Sequence, residues 1–154
     1  MYPHSLSYFN ELVGGPRYGY LHLDNSNIDW DQDLLYLKRW YAEHPEARPL
    51  GVRTFFGQID PKLAGIDAVE VPVGPQSKRA EQVPPRKLGP LPGWYAVSVN
   101  RLVDHNRDYA YFLDLEPVGR AGYSIYIYHL TLDDANALRR EYGLPELTPG
   151  AATR

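Results

Sequence analysis

Tyr123-Ser124-Ile125-Tyr126-Ile127-Tyr128-His129-Leu130 is the run whose reading decides the fold. Its aromatic and β-branched content predicts a strand. The apolar residues follow one another almost without a break instead of alternating with polar ones, so both faces of this strand should be covered. Reading outward, Thr131 opens a helix with Asp134 three residues on, and Gly143 closes it. Upstream, Asp108 to Leu115 reads as a helix carrying Tyr109, Phe112 and Leu113, stopped by Pro117. Before it, Gly93 to Leu102 holds a second strong strand, Trp94-Tyr95-Ala96-Val97-Ser98-Val99.

The N-terminal half has the same rhythm. Trp30, Leu34, Leu37 and Tyr41 draw an apolar stripe at helical spacing over Trp30 to His44, with Asp29 and Gln32 placed for a capping box and Pro45 as a stop. Leu50 to Phe56 and Asp67 to Val71 read as strands, with a helical turn at Pro61 to Ala64 between them. Ser5 to Val13 fits a short helix, ended at Gly14-Gly15-Pro16, and Tyr18 to Leu23 a short strand. Strands alternating with helices imply an α/β domain. The expected architecture is a three-layer sandwich with a largely parallel sheet of about four or five strands. The domain should span residues 1–144, with a frayed tail at 145–154. Pro72 to Pro92 holds six prolines and reads as a long loop, with room for an antiparallel excursion.

The chain's 154 residues suit one domain, and 44% hydrophobic composition argues against disorder. With no cysteine, disulfides, a thiol nucleophile and thiolate zinc sites are excluded. A net charge of −3 gives no general attraction to nucleic acid, so no nucleic-acid partner is expected. No apolar run is long enough to cross a bilayer, and the first residues lack the basic and apolar regions of a signal peptide. The expectation is a soluble domain.

The densest polar cluster is Asp24 to Asp33. Asp24, Asn25, Ser26, Asn27, Asp29, Trp30, Gln32 and Asp33 are the ligand-binding candidates. The stretch runs from the end of the first expected strand into a helix N-terminus, where open α/β sheets bind ligands. Its carboxylates would repel a phosphate and suit a cation or sugar hydroxyls. The competing reading is turns followed by acidic residues that complement the helix dipole. Asp29-Trp30-Asp31-Gln32-Asp33 fails as a calcium loop, because Leu34 and Trp40 stand where glycine and glutamate are needed. His4, His22, His44, His105 and His129 show no metal-ligand spacing, and no metal or cofactor is expected. Glu116 and Arg120 could pair with each other or hold a ligand, and Lys78, Arg79, Arg86 and Lys87 read as a solvated loop. Gly122-Tyr123-Ser124-Ile125 lacks the second glycine of a nucleophile elbow.

Five ordered stretches resemble the extramembrane C-terminal region of large bacterial membrane glycosyltransferases, the family-39 type related to dolichyl-phosphate-mannose protein mannosyltransferases. They are Tyr2 to Pro16, Asp24 to Leu34, Phe56 to Pro61, Gly93 to Ser98 and Glu116 to Tyr128. Asp31 stands where a glycine is usual and Ala64 where a tyrosine is usual. The resemblance implies a domain that follows the last transmembrane helix on the extracytoplasmic side of an enzyme using a polyprenyl-phosphate sugar donor. It implies a glycan or protein acceptor and the transmembrane portion as partners. The catalytic carboxylates of such enzymes belong to membrane loops, so no catalytic residue is assigned in this chain. Trp30 is then available to stack on a sugar ring. The alternatives are a self-standing α/β sugar-binding or protein-interaction module and, third, a metal-dependent hydrolase using the Asp24 to Asp33 carboxylates.

Overall fold

A five-stranded sheet in the order β2-β1-β3-β5-β4 organises the molecule. The computed structural model describes residues 33–55, 57 and 59–149. The expected helix at Ser5 to Val13, strand at Tyr18 to Leu23 and cap at Asp29 and Gln32 lie outside the described residues. Within them the elements are α1 (Leu34–Glu43), β1 (Leu50–Arg53), β2 (Ala68–Val69), β3 (Gly93–Ser98), α2 (Val99–Leu102), β4 (Gly119–Ala121), β5 (Ile125–Leu130) and α3 (Leu132–Glu141). Short 3-10 turns lie at Pro45–Ala47, Pro61–Ala64, Ala80–Gln82 and Ala110–Asp114. The last of these replaces the helix expected over Asp108 to Leu115. Among the described residues no helix is long and apolar enough to cross a membrane.

The α/β character holds, but the sheet is mixed and not largely parallel. β1 runs parallel to β2 and β3, whereas β5 runs antiparallel to β3 and β4. The reason lies in what an unbroken apolar run encodes. It reports that both faces of a strand are covered, and says nothing of the direction of the strands beside it. β5 is buried as expected: Ile125 and Ile127 enter one core cluster, while Tyr126, Tyr128 and Leu130 enter the other. Its partner β3 divides the same way, with Ala96 opposite Ile127 on one face and Val97 opposite Tyr126 on the other.

Helix α1 packs Leu34, Leu37 and Tyr41 onto the Ile125/Ile127 face, as their spacing predicts. The other face is covered by Val99 and Leu102 of α2 together with Tyr109, Tyr111 and Phe112. α3 begins with the expected capping box: Thr131 Oγ1 accepts from the Asp134 N–H at 3.2 Å, and Asp134 Oδ2 accepts from the Thr131 N–H at 3.0 Å.

The stretch from Pro72 to Pro92 contains no strand among its residues, and it is tied down along its length. Tyr111 donates its hydroxyl to the Pro72 carbonyl at 3.0 Å. Gly89 lies against that ring, where a Cβ would come within 2.7 Å of the Tyr111 hydroxyl oxygen. Asp108 accepts from Ser77 Oγ at 2.5 Å and pairs with Arg79. Arg139 of α3 is fully buried and donates to the carbonyls of Leu88 at 2.6 Å, Pro85 at 3.0 Å, Pro90 at 3.2 Å and Pro145 at 2.6 Å. Desolvation pulls its guanidinium pKa below the usual arginine range. One cation thus fastens both the proline-rich loop and the segment after α3. Asn136 adds to the latter by exchanging hydrogen bonds with the Leu147 backbone at 2.8 and 3.0 Å.

Candidate functional site

Of the eight candidates in the Asp24 to Asp33 stretch, Asp24, Asn25, Ser26, Asn27, Asp29, Trp30 and Gln32 lie outside the described residues. Asp33 is fully buried at the N-terminus of α1. Its side chain does not cap that helix. It reaches the turn between β4 and β5, where Oδ2 accepts from the Tyr123 N–H at 2.7 Å, the Ser124 N–H at 2.7 Å and the Ser124 hydroxyl at 2.9 Å. A carboxylate collecting several N–H donors acts as a structural clamp, because those donors have no water to turn to. Gly122 completes the arrangement. It sits at φ +66°, and a Cβ there would overlap the Asp33 carboxyl group. The clamp joins the end of one stretch that carries the resemblance, Asp24 to Leu34, to another, Glu116 to Tyr128.

A different set of side chains gathers on the α1 side of the sheet. His44 stacks on Trp40 with ring centroids 4.2 Å apart and planes 12° from parallel. Trp40 meets Trp94 at 5.9 Å and 49°. Trp94 stacks on His129 at 4.1 Å and 13°. The result is a continuous row of four aromatic rings, His44-Trp40-Trp94-His129. Local structure explains each step. Trp40 and His44 are four residues apart, so they lie on one face where α1 ends. Trp94 and His129 are direct cross-strand partners in the β3–β5 ladder. His44, Trp40 and Trp94 are half-buried and His129 is exposed. The indoles rest on the core cluster beneath, which fixes their orientation. His44 Nδ1 lies 2.8 Å from the Trp40 carbonyl oxygen, so it donates there.

On the opposite face, a cavity of about 460 Å³ opens beside β4. Leu102, Phe112 and Leu115 form part of its wall, with Glu116, Arg120, Tyr126 and Tyr128 as its polar groups. Its size falls within the range of small-molecule pockets. Glu116 and Arg120 do not form an ion pair among the described residues. The Arg120 guanidinium instead lies over the Tyr126 ring, 4.1 Å from its centroid.

One of the charged loop residues has a structural partner. Arg79 is held by Asp108, whose carboxylate raises its pKa through a hydrogen bond. The Ser124 hydroxyl is turned to Asp33, not to a base. Among the described residues no group of three or more histidine or acidic side chains is arranged to hold a metal ion. The aromatic row escaped sequence reasoning because its members come from three elements. The one available signal was the Trp40/His44 spacing.

No protein-family model, curated protein or solved structure matches this chain.

Proposed function

We infer that this chain is a carbohydrate-contacting accessory domain, without a catalytic centre of its own, belonging to a membrane glycosyltransferase that uses a polyprenyl-phosphate sugar donor. The observation that carries the sugar-contacting part is the row His44-Trp40-Trp94-His129. Aromatic rings held between α1 and the sheet, stacked on one another, offer their outer edges as apolar surface to the C–H faces of pyranose rings. The imidazole nitrogens beside them offer hydrogen bonds to hydroxyl groups. Side chains already held by stacking lose little entropy on binding. The assignment to a glycosyltransferase rests on the five stretches from Tyr2 to Tyr128. The sheet interior supports it: β3, β4 and the first four residues of β5 fall inside two of those stretches, and Asp33 of a third clamps the hairpin turn. In this reading the domain lies on the extracytoplasmic face, beside the transmembrane portion, and steadies the glycan or protein acceptor. Its sheet is taken as the middle of three layers. A self-standing sugar-binding module is the second reading, and the same aromatic row favours it equally.

Titration of the domain with a panel of oligosaccharides tests the binding function. A saturable change in tryptophan fluorescence is expected, accompanied by amide shifts at Trp40, Trp94 and His129. Trp94→Ala should weaken binding at least ten-fold, about the worth of one good aromatic contact. A flat response across the panel in the folded protein would refute the reading. The two settings are separated by the coding sequence upstream of Met1, which should continue into hydrophobic segments. An upstream stop codon would exclude the membrane-enzyme setting and leave the self-standing module.

A further inference from the structure

The cavity beside β4 lies on the face of the sheet opposite the aromatic row, and its chemistry is different. Arg120 and Tyr126 are direct partners across the β4–β5 ladder, so their side chains leave the same face of the sheet. The Tyr126 ring is buried, at 4% exposure, and the guanidinium lies over it at 4.1 Å. A cation–π contact of this kind occupies no N–H donor in a hydrogen bond and leaves those groups to other partners. Arg120 forms no hydrogen bond or ion pair with any described residue. A half-buried cation, fixed in direction and lining a cavity of about 460 Å³, is a preorganised anchor for a planar anion.

Three features narrow the ligand. The guanidinium fork fits a carboxylate bidentately. Glu116, in the same lining, penalises a doubly charged anion such as phosphate, while its carboxylate oxygens accept hydrogen bonds from hydroxyl groups. Phe112, Leu115 and Leu102 form an apolar wall that suits the body of a ring. We propose that this cavity binds a monocarboxylated, hydroxylated ring, an acidic sugar of the hexuronate type, with its carboxylate on Arg120 and hydroxyl groups on Glu116. The proposal goes beyond the sugar-stacking surface and does not depend on it, because the two sites share no residue.

The test uses the intact chain and free glucuronate as the probe, followed by calorimetry and by amide shifts at Glu116 to Tyr128. Saturable shifts of those amides are expected, with glucose and inorganic phosphate each at least ten-fold weaker there. Arg120→Gln should lower glucuronate affinity by about ten- to a hundred-fold, the worth of a charge-assisted bidentate pair. Arg120→Lys, which keeps the charge and loses the fork, should fall between wild type and Arg120→Gln. Amide shifts at Glu116 to Tyr128 report this site and those at Trp40 and Trp94 report the aromatic row, which separates the two. Near-ultraviolet circular dichroism verifies that each variant keeps its aromatic core. The proposal is overturned if glucuronate does not shift the Glu116 to Tyr128 amides saturably, if glucose or phosphate shifts them with equal affinity, or if folded Arg120→Gln responds to glucuronate at those amides like wild type.

Discussion

Replacing Asp33 with alanine removes an acceptor that three donors share at the β4–β5 turn. The Ser124 hydroxyl can rotate to another partner, but the Tyr123 and Ser124 N–H groups are fixed by the backbone. The Ser124 donor is buried and the Tyr123 donor partly so; at about 1–3 kcal/mol for a buried donor left unsatisfied, the pair sets a loss of up to about 4 kcal/mol. For a domain of this size that upper value corresponds to a fall in Tm of about 8–16 °C. Asp33→Asn keeps one carbonyl oxygen in place but loses the charge and puts a buried NH2 where Oδ1 stands, so its cost should be about 1–2 kcal/mol. Urea unfolding followed by circular dichroism measures both variants. Hydrogen exchange at Tyr123 and Ser124 should accelerate in Asp33→Ala before exchange in the centre of β3 does. A loss below about 1 kcal/mol in Asp33→Ala, with native amide shifts, would refute the clamp, because the buried Ser124 amide alone cannot lose its acceptor at so small a cost. If that variant were also stable but unable to bind oligosaccharides, Asp33 would return to the ligand-binding set.

Two further outcomes concern α3. Arg139→Met should cost about 3 kcal/mol, since it strands buried carbonyls at Leu88 and Pro90 and frees those of Pro85 and Pro145. Trypsin should then cut the variant faster after Arg86 and Lys87, and an unchanged cleavage rate would contradict the role of Arg139 as a fastener. Asp134 has a carboxyl pKa held below the usual range by its hydrogen bonds from the Thr131 hydroxyl and backbone. Its stabilising contribution is therefore present above the unfolded carboxylate pKa of about 3.9 and is lost as pH falls through the lower folded value. Asp134→Asn should cost under about 1 kcal/mol at pH 7, because the group is exposed and screened. Denaturation at pH 7, 4 and 2.5 should show the difference from wild type shrinking towards acid; a constant difference would point to a role independent of charge.

Much of the secondary structure was legible because short-range rules govern it. The Leu34, Leu37 and Tyr41 stripe is helical spacing, and all three side chains are buried. The Thr131/Asp134 box is a contact between residues three apart, and it forms as read. The Ile125 to Leu130 run is apolar on both faces, and each face has its own cluster. The expectation for Asp108 to Leu115 was less accurate, since Ala110–Asp114 forms only a 3-10 turn that packs Tyr111 and Phe112 into the core. Packing against the sheet outweighs local propensity in so short a segment.

The candidate site was far less legible. Asp33 stands in an acidic stretch whose composition suggests a ligand, yet its partners are 90 and 91 residues away. Trp30 was the aromatic residue singled out for sugar stacking, whereas the described surface offers Trp40 and Trp94. Their row exists because the antiparallel β3–β5 register sets Trp94 beside His129 and because α1 lays Trp40 against Trp94. Arg120 and Tyr126 meet by the same kind of cross-strand pairing. Amino-acid order therefore determined which segments become helices and strands and which faces they bury, since periodicity, caps and prolines act within a few residues. Strand direction, the hairpin clamp, the aromatic row and the Arg120 cavity were decided by tertiary structure. Each depends on the registration of segments distant in the chain, and that is settled only when both faces of the sheet pack at once.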